Sequence, residues 1–306
     1  METARMPRLG GAITTLITPF RHGCLDRPAL RALAEWQILS GVDGLTVCST
    51  TGEGPTLSQQ ERAEVIDLVI RSAAGRVPVV AATGTNSTDS TIALTREAEV
   101  LGAAAALVTV PYYSKPGQQG IVHHFEQLAA ASGLPVIIDH APAQTANDLS
   151  TETLGRLATI PGIFGIRDAT GDIARFVGLS ASLRQRFRFF SGHDPSALAF
   201  TIAGGDGTIS SGANVVPRLF TTMQQAARAG NLSAAHSLQD RLLPLISALG
   251  PEGDPARIKY ALRLMRGLKA ELRLPLVAAE PEVCLAIGEA LAPFLDESST
   301  RMALSL

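Results

Sequence analysis

Lysine is the residue type that this sequence most clearly lacks. The 26 basic residues include only three lysines, Lys115, Lys259 and Lys269, so arginine carries nearly all of the positive charge. A guanidinium stays protonated up to a pH of about 12, and its delocalised lone pairs do not attack carbonyl groups as a neutral amine does. Lys259 and Lys269 fall in the C-terminal helical region, far from the expected site. Lys115 is therefore the one lysine that the sequence places near it.

Cysteine and net charge are also scarce. Three widely spaced cysteines without a C-x-x-C pair predict reduced thiols rather than a disulfide framework or a zinc site. The formal charge of -2 provides no basic field to attract nucleic acid or an anionic membrane. The apolar run 103–110 is too short to span a bilayer, and residues 1–8 contain no apolar signal-peptide core. We expect a soluble cytoplasmic protein without nucleic-acid or membrane partners.

Eight short apolar runs alternate with helical stretches over residues 1–216. Most of them are continuously apolar, which is typical of parallel strands that are buried on both faces. The runs are 12–17, 44–48, 77–82, 104–110, 136–139, 164–167, 187–191 and 207–210. Ser58 with Glu61 forms a capping-box pattern, and Ser87 and Ser150 are suitable N-caps. The alternation predicts an α/β fold, a (β/α)8 TIM barrel.

The pattern changes after residue 216, because helices follow one another without strands between them. They are predicted at 219–229, 233–249, 255–267 and 281–291. We therefore divide the chain into a barrel, residues 1–216, and a C-terminal helical extension packed on it, residues 217–306.

Polar residues follow most of the predicted strands, and in such a barrel the C-terminal strand ends carry the site. Thr50, Thr51 and Gly52 offer two hydroxyls and successive backbone N–H groups, which suit a carboxylate. The alternative is a Ser/Thr-rich turn that caps the next helix. Other polar segments at strand ends are 111–113, 139–142, 167–168, 191–194 and 210–212.

The segment G-I-R-D-A-T-G at 165–171 resembles G-I-K-E-A-T-G of the dihydrodipicolinate synthase / N-acetylneuraminate lyase family, which is class I aldolase-like. Similar segments include S-T-T-G-E-G-P-T-L at 49–57 and P-Y-Y at 111–113, and the resemblance covers roughly residues 10–295. In the family, the lysine of that segment forms a Schiff base with a 2-oxo acid. Here Arg167 replaces it, so the chain resembles a divergent member that lacks the Schiff-base lysine.

The resemblance implies roles for several other residues. Thr50 and Thr51 would hold the substrate carboxylate, with Thr50 also in a proton relay. Tyr113 would reach into a neighbouring subunit's site, or it is an aromatic plug at the rim or at a dimer interface. Gly192 would shape the pocket through its backbone. Family members form homodimers or dimers of dimers, so a homodimer or homotetramer without a cofactor is implied.

Two strand ends add further candidates to the substrate-binding set. The segment 191–198 is similar to the family's S-G-D-D-x-x-A-L, and there His193 is either a second acid/base group or an N-terminal turn residue. Gly52 belongs to the threonine turn, and Ile209 and Ser210 end the eighth strand.

The fifth strand departs from the family pattern. Residues 137–145 are similar to L-Y-N-x-P-x-R-T, but the tyrosine becomes Asp139, the asparagine His140 and the carboxylate-binding arginine Gln144. Adjacent strand residues point to opposite faces, so at most one of Asp139 and His140 faces the barrel centre. The resemblance implies that this is Asp139, and His140 is then expected to pack beneath a loop. No tight ligand spacing supports a metal site.

Asp139 and Arg167 are expected to point inward from neighbouring strands. They form either a salt bridge that closes a dead site, or an active pair in which Arg167 holds a carboxylate or oxyanion and Asp139 is the base. Three hypotheses follow. We favour a lyase that acts on a small oxo, hydroxy or sugar acid without the lysine Schiff base, and we do not expect true dihydrodipicolinate synthase activity. The alternatives are a non-catalytic metabolite-binding or regulatory protein and a structural relic.

Overall fold

The computed structural model describes residues 9–250 and 253–303, with side chains through residue 295. The expectation about residues 1–8, that they carry no signal-peptide core, lies outside this range. None of the helices within it is long and apolar enough to cross a membrane.

Eight parallel strands, β1 to β8, pair in chain order and close when β8 pairs with β1. The predicted TIM barrel is confirmed, because each predicted apolar run contains one strand or overlaps it. Their bounds are Gly11–Thr15, Gly44–Val47, Val79–Ala82, Ala105–Thr109, Val136–His140, Ile163–Asp168, Arg188–Ser191 and Gly207–Ser210.

The barrel has an inner and an outer apolar core because successive strand residues face opposite sides. Ile13, Leu107 and Ile137 are among the buried side chains of the inner cluster. Ala106 and Val108 belong to the outer cluster, which packs against the helices. Both faces of the strands are therefore buried, and this explains the continuous apolar runs.

Thirteen helices, α1 to α13, are described outside the barrel strands. The predicted N-caps Ser58, Ser87 and Ser150 each accept a backbone N–H, and Ser58 with Glu61 forms the complete capping box. The bounds are Arg27–Leu39, Gln59–Ala73, Thr88–Leu101, Gln118–Ala131, Pro142–Thr145, Thr151–Leu157, Ile173–Val177, Ala181–Arg186, Ala197–Ile202, Pro217–Arg228, Leu232–Leu249, Pro255–Arg266 and Pro281–Ala303.

Helices α10 to α13 follow β8 without an intervening strand in the described residues. The division of the chain at residue 216 into barrel and extension stays a prediction, and its outer limits, residues 1 and 306, lie outside the described range. A short antiparallel pair, Phe20–Arg21 with Cys24–Leu25, follows β1.

Candidate active site at the barrel mouth

Arg167 lies near the C-terminal end of β6, directly opposite Asp139 of β5 in the strand register. Its Nη1 donates to Asp139 Oδ1 at 2.6 Å, and the two side chains are 9% and 14% exposed. Nη2 donates to the carbonyl of Gly192 at 3.1 Å, and Nε donates to the carbonyl of Ile209 at 3.2 Å. The guanidinium of this β6 residue is therefore held by β5, by the residue that follows β7 and by β8, and the predicted Asp139–Arg167 contact is present.

Gly192 leaves the space through which the Arg167 side chain passes. A Cβ at this position would lie 2.8 Å from both Cζ and Nε of Arg167. Any larger residue would have to displace the guanidinium, because real Cβ atoms essentially never approach so closely. The glycine and the arginine are thus matched in shape.

The threonine turn between β2 and α2 borders the same pocket. Its backbone is closed by hydrogen bonds from the N–H of Glu53 to Thr50 O at 3.0 Å and from Thr18 Oγ1 to Gly52 O at 2.6 Å. Thr51 is buried and accepts a bond from Thr15 Oγ1 at 3.3 Å. Thr50 is exposed and lines the cavity described next.

Two spaces meet at Asp139 and Thr50. A cavity of about 350 Å³ extends toward Tyr112 and Arg62. A much smaller space of about 10 Å³ lies between Thr51, Arg167 and their neighbours. Asp139, Thr50 and Gln144 line both spaces, so these three polar groups face the same region of solvent. Little space therefore remains between Arg167 and the threonine turn.

His140 faces away from this cavity, as expected from strand alternation. It is fully buried, and its Nε2 lies 2.8 Å from Asp148 Oδ1. Its Nδ1 lies 3.8 Å from Asp168 Oδ1. Burial opposes ionisation of Asp168, but hydrogen bonds from His140 and Thr170 hold the pKa of this carboxyl below its usual range. His140 therefore supports the loops behind the site.

A third space of about 780 Å³ lies on the other side of Gly192 and is bordered by His193 and Gln144. The Nδ1 of His193 lies 2.7 Å from Ser196 Oγ, so the ring is tied to its own turn. Burial raises the pKa of the neighbouring Asp194, although hydrogen bonds from Ser210 and Gly212 act in the opposite direction.

Tyr113 extends away from its own barrel. It is 88% exposed and has a positive φ of 65°, whereas Tyr112 lines the 350 Å³ cavity. Ser210 is buried, and its Oγ accepts the Ala213 N–H at 3.0 Å. Ile209 contributes only its carbonyl, which accepts from Arg167.

Three residues near the pocket were not predicted. Gly253, in the segment before α12, lies so close to Thr51 that a Cβ would be 2.6 Å from its Oγ1. Arg62 of α2 lines the 350 Å³ cavity and donates to the carbonyls of Gly54 and Ala82. Lys259 was placed far from the site, yet its Nζ bonds Glu53 beside the threonine turn. No local sequence signal marks these long-range approaches.

Comparisons with known proteins cover nearly the whole chain. A family model described as the dihydrodipicolinate synthetase family matches residues 8–292. The 4-hydroxy-tetrahydrodipicolinate synthase of Roseobacter denitrificans is 45% identical over 89% of this chain and 94% of that protein. The enzyme of the same name from Rhizobium meliloti is 43% identical over 92% of this chain and 97% of its own length.

Solved structures agree with these sequence relatives. The chloride-inhibited dihydrodipicolinate synthase from Acinetobacter baumannii, complexed with pyruvate, is 38% identical with a TM-score of 0.90, over 92% of this chain and 97% of that one. The 4-hydroxy-tetrahydrodipicolinate synthase from Methylacidiphilum fumariolicum has a TM-score of 0.92 at 34% identity, over 97% and 99% of the two chains.

The functional expectation from sequence is wrong. We did not expect synthase activity, and the alternative was a non-catalytic binding or regulatory protein. Relatives at 45% and 43% identity over most of the chain are named as synthases, which contradicts both. The expectation gave the side chains at 139 and 167 more weight than the pocket around them. That pocket keeps the threonine turn, the glycine at 192 and the tyrosine pair.

Three observations lead to the same conclusion: the barrel fold, the polar cluster at the strand ends, and relatives that match this chain over nearly their whole length. The chain belongs to the dihydrodipicolinate synthetase family.

Proposed function

We propose that this protein is a lyase that carries the activity for which its relatives are named, 4-hydroxy-tetrahydrodipicolinate synthase, and that it uses a 2-oxo acid such as pyruvate. The relatives' names and the pyruvate complex of the Acinetobacter enzyme support this proposal. The observation that carries it is that Thr50, Thr51, Asp139 and Arg167 line one small space, and that Thr50 and Asp139 also line the 350 Å³ cavity.

The carboxylate of the 2-oxo acid would bind to the threonine turn. The Thr50 and Thr51 hydroxyls and the backbone of Gly52 supply donors without a formal charge, and such turns suit anions. Gly192 and Ile209 would act through their backbone carbonyls, which position Arg167. His193 and Ser210 would contribute from behind them, His193 at the neighbouring 780 Å³ space.

Arg167 would act by electrostatic stabilisation, because a guanidinium does not form an imine. In this mechanism it binds the carbonyl oxygen of the 2-oxo acid while Asp139 removes a proton from the adjacent methyl carbon. The electron pair of that C–H bond forms an enolate, which Arg167 stabilises where the negative charge develops. The enolate carbon then bonds the carbonyl carbon of the second substrate, whose C=O π electrons move to the oxygen. The resulting alkoxide takes up, through the Thr50 hydroxyl, the proton that Asp139 removed, and this restores the Asp139 carboxylate.

The exposed Tyr113 suggests a role in another copy of the chain. Its side chain lies outside the cavities of its own barrel that are described above, so it would complete the site of a neighbouring subunit. We therefore propose a homodimer or homotetramer, which sedimentation velocity would test. A cytoplasmic location stays a prediction.

The test is to incubate the purified wild-type protein with pyruvate and the second substrate, and to measure product formation with and without borohydride. Turnover without a covalent pyruvate adduct would support the Arg167 mechanism. Turnover with an adduct at a lysine would keep the activity and overturn the mechanism. No turnover by the assembled protein would overturn the proposed activity. Arg167→Lys is the matched control, because it restores an amine that borohydride can trap with pyruvate.

A further inference from the structure

Glu53 directly follows the threonine turn and has a conformation that is rare for its residue type. Its φ is 53°, in the left-handed region that non-glycine residues seldom adopt. Such a backbone persists only when its surroundings fix it. Its side chain is fully buried, so contacts of this side chain with its surroundings can fix the backbone conformation.

Both carboxylate oxygens of Glu53 are bound by the C-terminal part of the chain. Oε1 accepts a hydrogen bond from Lys259 Nζ, and Oε2 accepts the backbone N–H of Arg273 at 3.0 Å. Lys259 Nζ also donates to the carbonyl of Glu271 at 2.7 Å and lies 4.3 Å from the centre of the Phe20 ring. The ammonium group has no exposed surface.

Arg273 extends the same contact to the far end of the turn. Its guanidinium donates to the carbonyl of Thr56 at 3.1 Å and to Glu61 Oε2 at 2.8 Å. Burial lowers the pKa of Lys259, and the neighbouring Glu53 offsets part of that effect. Burial disfavours the charged form of Lys259, so the hydrogen bonds around the ammonium group must stabilise the ion pair.

We propose that Lys259 is a positioning residue for the carboxylate-binding turn, which it holds in its binding conformation through Glu53. Lys259 contacts neither the cavities nor the reacting groups. Its effect on binding passes through the backbone of Glu53 to Thr50, Thr51 and Gly52. The expected effect of Lys259 on turnover rests on the proposed function. Its expected effect on the conformation of the turn rests on the geometry alone.

The test compares Lys259→Met, the double variant Lys259→Met/Glu53→Gln, and the control Lys269→Met, which removes an exposed lysine. Hydrogen exchange is followed in peptides covering residues 49–57 and, as a reference, residues 136–141. Steady-state kinetics with pyruvate are measured on the same preparations, together with the melting temperature.

We expect Lys259→Met to speed exchange in residues 49–57 selectively and to raise the KM for pyruvate about tenfold or more, because a displacement of about 1 Å is costly in such sites. In the double variant the melting temperature should recover, since no unpaired charge remains buried, while the KM stays raised. A merely structural lysine would instead give a KM that returns with the melting temperature.

Unchanged exchange in residues 49–57 would overturn the inference, whatever the activity. Selective exchange in a protein whose wild type does not turn over pyruvate would support the positioning of the turn and count against the proposed function alone.

Discussion

Two buried ion pairs flank the threonine turn, and they differ in what surrounds them. Arg167–Asp139 borders two solvent spaces and remains 9% and 14% exposed. Lys259–Glu53 has no exposed surface and is enclosed by Phe20 and backbone carbonyl groups. A pair beside a cavity can exchange one partner for a ligand, whereas an enclosed pair cannot do so without local unfolding. We therefore expect the first pair to take part in chemistry and the second to fix the conformation of the turn.

The largest expected effect separates the first pair's chemistry from its stability. Asp139→Asn should lower kcat/KM by about 10²- to 10⁴-fold, the usual range for loss of a general base, while the amide oxygen can still accept from Arg167. Initial rates with pyruvate and urea unfolding on the same samples would measure this. Asp240→Asn, on the exposed face of α11, is the matched control. Equal activity in both variants would remove Asp139 from the mechanism.

Breaking the enclosed pair, Lys259–Glu53, should mainly reduce the stability of the fold. Lys259→Met leaves the Glu53 charge buried without its partner, which should reduce the free energy of unfolding by about 3–5 kcal/mol. Lys269→Met should change it by less than about 0.5 kcal/mol because that lysine is exposed. Chemical denaturation monitored by the single tryptophan, Trp36, would give both values. A small loss of unfolding free energy in Lys259→Met would contradict the distinction between a structural pair and a pair at the site.

Gly192→Ala tests how tightly the first pair is held. The added Cβ would press on Arg167, and such overpacking costs about 1–3 kcal/mol of stability. Arg167→Ala in the same chain should remove the clash, so the two substitutions should be strongly non-additive. Additive losses in a thermal double-mutant cycle would show that the guanidinium does not fill this space.

The smallest expected effect is a pH dependence of the free energy of unfolding. It comes from His124, which belongs to neither ion pair. Burial lowers the pKa of His124 to about 4, whereas in the unfolded chain it is about 6.5. As the pH falls, His124 is therefore protonated in the unfolded chain before it is protonated in the folded one. The contribution of neutral His124 to the free energy of unfolding is complete above about pH 6.5 and is lost as the pH falls toward 4. Urea unfolding at pH 7 and pH 4.5 should show a smaller acid loss in His124→Gln than in the wild type. Parallel losses would assign the effect to other groups.

The barrel was accessible from sequence because buried parallel strands give continuous apolar runs. The first ion pair was accessible through the family resemblance, which selected Asp139 as the inward residue once strand alternation had excluded that both Asp139 and His140 face the centre. The second pair was not accessible, since Glu53 and Lys259 are 206 positions apart and the S-T-T-G-E-G-P-T-L segment that contains Glu53 does not indicate its partner. The size of the space beside Arg167 also depends on side-chain packing, which the residue types alone do not determine.

The error about activity has a related origin. A missing lysine is a strong chemical signal at one position, but the donors of a pocket are distributed over several strands. Thr50, Thr51 and Gly192 were each recognised, yet their joint arrangement around Arg167 follows only from the closed barrel.

The contact of Gly253, Lys259 and Arg273 with the threonine turn has a consequence for biosynthesis. The turn itself is made early, but the groups that fix it belong to the last fifth of the chain. On a ribosome, a nascent chain that already contains all eight strands would still lack them. The ability to bind a carboxylate should thus arise only after residues 253–273 have left the ribosome, which ties the first binding event to the synthesis of that segment.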